Sequence, residues 1–155
     1  ARQCGHHFDA EGIKVIEFAQ SGLKPLVKFA RRMGIEWHVL VDGDEAGKKY
    51  AATVRSLLNN DREAEREHLT ALPALDMEHF MYRQGFSDVF HRVAQIPENV
   101  PMNLRKVISK AIHRSSKPDL AIEVAMEAGR GVDSVPTLLK KMFSRVLWLA
   151  RGRAD

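Results

Sequence analysis

The chain of 155 residues is long enough for one hydrophobic core of ordinary size, or for one domain with a smaller appendage. No apolar run approaches the roughly 18 residues that a membrane span needs. A single cysteine, Cys4, excludes an internal disulfide. The sequence therefore predicts a soluble, cytoplasmic protein with no membrane partner.

The net charge of +4 is unevenly distributed along the chain. Residues 100–155 hold 11 Lys or Arg against 5 Asp or Glu and so carry +6, whereas the preceding residues carry −2. A basic C-terminal third beside a more acidic first part is typical of a module that gathers cations in one place and polyanions in another. The simpler interpretation is a solvated, lysine-rich surface, which many helices of this composition have.

Hydrophobic periodicity predicts alternating strands and helices in the first half of the chain. The predicted strands are rich in β-branched residues or form nearly continuous apolar runs, and Gly34 stands where a helix C-cap is expected. Such alternation favours a parallel sheet covered by helices on both faces, with ligands beyond the carboxyl ends of the strands. The predicted strands are residues 12–18, 37–41 and 68–72, and the predicted helices are residues 23–33 and 47–58.

The second half of the chain is predicted to be helical, because no strand pattern survives from Asp76 onward. Pro97 and Pro101 in IPENVP mark a linker. The chain is thus divided into an α/β domain over residues 1–96 and a C-terminal helical subdomain over residues 97–155. Helices are expected at residues 102–113, 117–128 and 135–150.

The most informative segment is VLVDGDEAG, residues 39–47, in which a buried-looking strand ends in Asp42 and Asp44. Period-two geometry points both carboxylates the same way. Two unit charges 4 Å apart repel by about 1 kcal/mol in water and about 4 kcal/mol at an effective dielectric of 20, and a divalent cation removes that repulsion. Oxygen ligands of this kind favour Mg²⁺, and Gly43 and Gly47 would let a phosphate backbone approach.

A strand-to-helix turn explains the same residues without a metal, since Asp and Gly are favoured in turns and Asp44 can cap the following helix. Haloacid-dehalogenase phosphatases, metal-dependent glycosyltransferases and receiver domains also place Asp-x-Asp after an apolar strand. The dehalogenase pattern has Thr or Val two residues after the second Asp, where this chain has Ala46. That difference counts against a dehalogenase-type phosphatase.

The order of strand, Asp-x-Asp-x-x-Gly and helix resembles the second motif of the Toprim fold, which topoisomerases, primases and OLD-family (overcoming lysogenisation defect) nucleases share. The preceding VIEFAQSGLKPLVKFARRMGI is similar to the strand, glycine-bearing loop and helix of OLD-family proteins. LPALDMEHFMY and SSKPDLAIEVA are similar to later segments of that family. The chain thus resembles the C-terminal Toprim nuclease portion of a bacterial OLD-family ATP-dependent endonuclease.

The resemblance implies a role for individual residues of this chain. Asp42 and Asp44 would be metal ligands, Glu78 would be a catalytic residue that serves as an acidic ligand at or near a second metal, and Lys117 would be the catalytic cation that faces the scissile phosphate. The loop residues expected near phosphate are Ser21, Gly22, Gly43 and Gly47, and the residues expected to bind nucleic acid are Arg105, Lys106, Lys110 and Arg114.

Local effects offer another interpretation of the two catalytic candidates. Glu78 would lie in the first turn of a helix capped by Asp76, where the helix dipole favours an acid without any catalytic duty. Lys117 would meet the positive end of a helix dipole, which costs a few tenths of a kcal/mol unless an anion is near. Its position therefore favours a nearby anion.

The resemblance implies a metal-dependent DNA endonuclease that uses two Mg²⁺ or Mn²⁺ ions, with ATP bound only by an upstream domain that this chain does not contain. DNA and the remainder of a full-length protein are the expected partners, and a homodimer is one assembly that the sequence allows. The Toprim pattern begins with a strand ending in a Glu-Gly motif, which nothing before Gly12 supplies, so the chain alone is expected to be inactive. The alternative is a degenerate Toprim module that binds nucleic acid or a partner without cutting.

Overall fold

The computed structural model describes residues 1–130 and 134–154, and it has an α/β fold that is mostly helical around a small parallel sheet. No helix among these residues is both long and apolar enough to cross a membrane. Short 3-10 turns at Arg2–Cys4, Asp9–Glu11 and Gln20–Gly22 precede the first α-helix. The elements that follow are α1 (Leu23–Arg32), β1 (Val39–Val41), α2 (Glu45–Leu57), α3 (Arg62–His68), β2 (Leu69–Ala71), α4 (Met77–Met81), a π-helical turn (Tyr82–Phe86), α5 (Ser87–Ala94), α6 (Leu104–Arg114), α7 (Lys117–Ala128) and α8 (Thr137–Ala150).

The parallel sheet predicted from the alternating pattern is confirmed for two of its three strands. β1 pairs with β2 in parallel, with Val39 opposite Leu69 and Val41 opposite Ala71. Helices α2 and α3 make the crossover between them. Because the two strands run the same way, the loops at their carboxyl ends lie side by side.

The predicted strand over residues 12–18 is wrong, since residues 13–19 form no regular element. A strand requires a neighbour that completes its ladder of backbone hydrogen bonds, and in the described part of the chain the sheet consists of β1 and β2. Val15 and Ile16 are 81% and 65% exposed. Their β-branched composition favours extended backbone, but no described strand pairs with it.

The alternation of side chains along β1 places them in two separate hydrophobic clusters. Val39 and Val41 belong to a cluster formed with α1 and α2, whereas the half-buried Leu40 packs against the cluster that holds the helices after β2. On β2, Leu69 joins the first cluster, and Leu72, just beyond the strand, joins the second. The sheet is therefore covered on both faces, as the sequence predicts.

The larger cluster extends across the predicted linker. Buried residues from Leu72 to Phe143 form one continuous group, and α5 packs closely on α6 within it. The N-terminal segment joins the same cluster, because the ring of Phe8 meets that of Phe143 edge to face at 5.9 Å. The division into residues 1–96 and 97–155 stays a prediction, and one shared core links its two parts.

Two glycines allow the turn after β1 to pack closely against backbone carbonyl groups. The backbone N–H of Gly43 donates to the carbonyl of Ala74 at 2.8 Å, and a Cβ at Gly43 would overlap that carbonyl. A Cβ at Gly47 would overlap the backbone carbonyl of Asp42. The first turn of α2 therefore lies directly on the backbone of Asp42.

We expect Gly47→Ala to destabilise the chain by about 2 kcal/mol or more, because the backbone of Asp42 must move to admit the methyl group. Gly22→Ala is the matched control, since a Cβ there has no heavy atom within 4 Å. Thermal denaturation followed by circular dichroism measures both. Equal melting temperatures for the two variants would show that this contact is not tight.

Candidate metal and phosphate site

β1 leads directly into the first acidic pair. Asp44 is the N-cap of α2, and its Oδ1 accepts a hydrogen bond from the backbone N–H of Gly47 at 2.7 Å. The expectation that Asp44 caps the following helix is thus confirmed. A carboxylate has a second oxygen, so capping by Oδ1 and binding of a cation by Oδ2 are compatible.

The chain after β2 brings a second acidic pair to the same edge of the sheet. The backbone N–H of Leu72 donates to the carbonyl of Val41 at 2.9 Å, which extends the pairing of the strands toward the site. Asp76 then caps α4, as predicted, and accepts from the backbone N–H of His79 at 2.8 Å and from its ring Nδ1 at 2.7 Å. Glu78 follows in the first turn of α4.

The four carboxylates interact through space at Asp42. Burial raises the pKa of Asp42 above its ordinary value, and the negative charges of Asp44, Asp76 and Glu78 raise it further. Lys117 acts in the opposite direction and lowers it. The two loops therefore concentrate negative charge around Asp42, with one lysine near enough to offset part of it.

Asp76 differs from Asp42 in the sign of its shift. Burial raises the pKa of Asp76, but hydrogen bonds from the backbone and the ring of His79 outweigh burial, and with Lys117 they lower the pKa below its ordinary value. His79 is itself buried. Asp76 is thus held as an anion in a fixed orientation.

Lys117 and Glu78, which the sequence linked only through the family resemblance, meet in the structure. Lys117 is the first residue of α7, and its Nζ lies 3.6 Å from Oε1 of Glu78. The anion expected beside this helix N-terminus is therefore a protein side chain. Ser116 caps the helix independently, since its Oγ accepts from the backbone N–H of Asp119 at 3.1 Å.

The chemistry of these donors suits a hard divalent cation, because Mg²⁺ and Mn²⁺ prefer carboxylate oxygens. In residues 1–130 and 134–154, however, no three His, Cys, Asp or Glu side chains converge in a way that could hold a metal ion. One oxygen of Asp44 and one of Asp76 accept helix-cap hydrogen bonds, and Oε1 of Glu78 lies near Nζ of Lys117.

The predicted phosphate-binding loops have different surroundings. Gly43 and Gly47 pack against backbone, as described above, which accounts for both glycines without a ligand. Ser21 and Gly22 lie in the 3-10 turn ahead of α1, and Gly22 is the N-cap of that helix. A role for any of the four in contacting phosphate stays a prediction.

The basic residues predicted to bind nucleic acid lie on α6. All four are exposed, and Arg114 donates to Oε1 of Gln95 at 2.7 Å. None of the ion pairs in the described part of the chain involves them. The residues are Arg105, Lys106, Lys110 and Arg114.

The sequence analysis missed Asp76 as a member of the acidic group and treated it only as a helix cap. A signal was present, because Asp76 and Glu78 repeat after β2 the acid-x-acid spacing of Asp42 and Asp44 after β1. Only the parallel pairing of the two strands shows that the two motifs share one edge.

Comparison with known proteins places the first acidic pair within a described family domain. The model of the TOPRIM domain of overcoming lysogenization defect protein-like proteins matches residues 1–44, a range that ends at Asp44 and includes β1. This match supports a Toprim domain of the OLD-like type. The uncharacterized protein YbjD of Escherichia coli (strain K12) is 98% identical over 156 residues, which cover 100% of this chain and 28% of that protein. No solved structure matches the chain.

The raised pKa of Asp42 predicts a pH-dependent gain in stability for Asp42→Asn without metal. A carboxyl whose pKa is raised by folding contributes stability that is fully present below its ordinary value of 3.8 and is lost as the pH rises through the folded value. We expect the variant to melt about 1–2 °C above the parent at about pH 7 and at the same temperature at about pH 3. The gain is small because much of the Asp42 side chain stays in contact with solvent, which screens its charge.

The measurement is thermal denaturation in EDTA across that pH range. A variant that is less stable than the parent at neutral pH would show that a favourable partner of Asp42 outweighs burial and like-charge repulsion.

Proposed function

We propose that this chain carries part of the active site of a metal-dependent DNA endonuclease within a longer ATPase-nuclease. The observation that supports it most directly is the meeting of two acid-x-acid pairs at the carboxyl ends of paired parallel strands, with Lys117 beside them. The OLD-like TOPRIM match at residues 1–44 favours the same function. The activity, substrate and ATP dependence of the whole protein belong to this proposal, because the chain spans 28% of its relative.

In this proposal Asp42, Asp44 and Glu78 bind Mg²⁺ or Mn²⁺, and Asp76 adds a fourth acid held by His79. When bound, such a cation lowers the pKa of water and draws charge from phosphate oxygens. Lys117 places a positive charge beside the phosphate, where charge builds up during hydrolysis. The remaining ligands come from other parts of the full-length protein or from water.

The basic face of α6 binds the nucleic-acid backbone in the same proposal. Four exposed cations on an 11-residue helix repel one another, and the described residues supply no acidic partner for them. Phosphates relieve this repulsion and release counterions on binding. Such contacts position a strand but carry no sequence information.

A second candidate is a degenerate Toprim module that binds nucleic acid or a protein partner without cutting it. The absence of three converged ligands among the described residues favours it, as does the capping role of both Asp44 and Asp76. In this alternative the acids serve folding only. Metal binding separates the two candidates.

We expect Asp44→Asn to weaken Mn²⁺ binding at least about tenfold in the full-length Escherichia coli relative, and to abolish metal-dependent DNA cleavage. Asn keeps the N-cap of α2 and removes only the charge. The matched control is Asp61→Asn, because Asp61 caps α3 in the same way, with its Oδ1 2.9 Å from the backbone N of Glu63.

Electron paramagnetic resonance of free Mn²⁺ measures the binding, and nicking of a plasmid measures the cleavage. Equal Mn²⁺ affinity in the two variants would remove Asp44 from the metal site and favour the non-catalytic module.

We expect Lys106→Gln with Lys110→Gln to lower the affinity for duplex DNA and to reduce the slope of log K against log salt by about two. Lys24→Gln with Lys28→Gln on α1 removes the same charge and serves as the control. Fluorescence anisotropy over a salt series measures both. The same loss for both pairs would indicate that net charge alone, and not α6, governs binding.

A further inference from the structure

We propose that Lys117 is an exchangeable internal counter-ion, which pairs with Glu78 while no metal is bound and is displaced from Glu78 when a divalent cation enters. This inference rests on the proposed function and concerns how the same site is regulated. It would make binding of metal the step that releases Lys117 for contact with phosphate.

The two side chains of the ion pair differ in how far they are exposed to solvent. The side chain of Glu78 is 19% exposed and lies in the first turn of α4, whereas that of Lys117 is 67% exposed. A lysine side chain has a flexible four-carbon stem and three N–H donors, so its ammonium group can move away from Glu78 without disturbing the backbone. At 3.6 Å between Nζ and Oε1, the pair is long for a charge-assisted hydrogen bond. The lysine is therefore the movable partner.

The charge balance of the site favours replacement of this lysine by a stronger cation. The charges of Asp44, Asp76 and Glu78 act on Asp42, and that of Lys117 opposes them there. One positive charge cannot neutralise four negative ones, while a divalent cation brings two charges to the same place. Lys117 also lies at the positive end of the dipole of α7, so a nearby anion stabilises it there by a small amount.

Exchange would change the charge that Glu78 offers to a metal. While Oε1 of Glu78 lies beside the ammonium of Lys117, part of its negative charge is already balanced. Breaking that pair frees one carboxylate for the metal and one ammonium for a phosphate. The cation is then expected to bind before DNA, and the freed Lys117 adds affinity for the phosphate that follows.

The test compares Lys117→Met and Lys117→Arg in the full-length Escherichia coli relative, with Mn²⁺ alone as the ligand. We expect Lys117→Met to bind Mn²⁺ about two- to fivefold more tightly than the parent, because the competitor is gone. We expect Lys117→Arg to bind it more weakly than the parent, because arginine pairs with a carboxylate through a planar, bidentate fork. Lys110→Met on α6 is the control and is expected to leave Mn²⁺ affinity unchanged.

The arginine variant separates exchange from simple repulsion between a lysine and a metal ion. It keeps the charge, so repulsion alone predicts the affinity of the parent, and that result would overturn the exchange. Weaker binding by Lys117→Met would also overturn it, since Lys117 would then position Glu78 for the metal. If neither the parent nor the variants bind Mn²⁺, the proposed function itself fails.

Discussion

The parallel pairing of β1 with β2 is the constraint on which the candidate site depends. It runs through three residue pairs and continues beyond the strands, where the N–H of Leu72 donates to the carbonyl of Val41 and that of Gly43 to Ala74. Strands that run the same way deliver their following loops to one edge. Acidic residues that are separated in sequence by two helices therefore become neighbours.

Acidic side chains that lie this close together repel one another. Helix caps and the ion pair between Glu78 and Lys117 offset part of this repulsion. Helix caps hold Asp44 and Asp76, and His79 adds a second hydrogen bond to Asp76. Capping satisfies backbone N–H groups at the start of α2 and α4, so these two carboxylates stabilise the fold whatever else they bind. Partial burial of the Asp42 carboxyl and neighbouring charges of its own sign both raise its pKa.

The positive charge at the site comes from the helical half of the chain. Lys117 reaches Glu78 because α7 packs on α5 and α6, which share one hydrophobic cluster with the residues after β2. Residues after α8 also contact the α/β part, since the guanidinium of Arg153 donates to the carboxylate of Glu67 in α3 at 2.7 Å. A division between the α/β part and the helical part would thus pass through the site, and the lysine depends on the packing between them.

Local patterns in the sequence determined much of this architecture. The apolar runs, the glycine after α1 and the capping residues act over a few positions, so they specify β1, β2, α1 and the starts of α2 and α4. Only the tertiary structure decided that residues 13–19 do not form a strand, because a strand depends on a partner that local composition does not reveal. It also decided that Asp76 joins the acidic group and that Glu78 meets Lys117, since both depend on strand pairing and helix packing between distant segments.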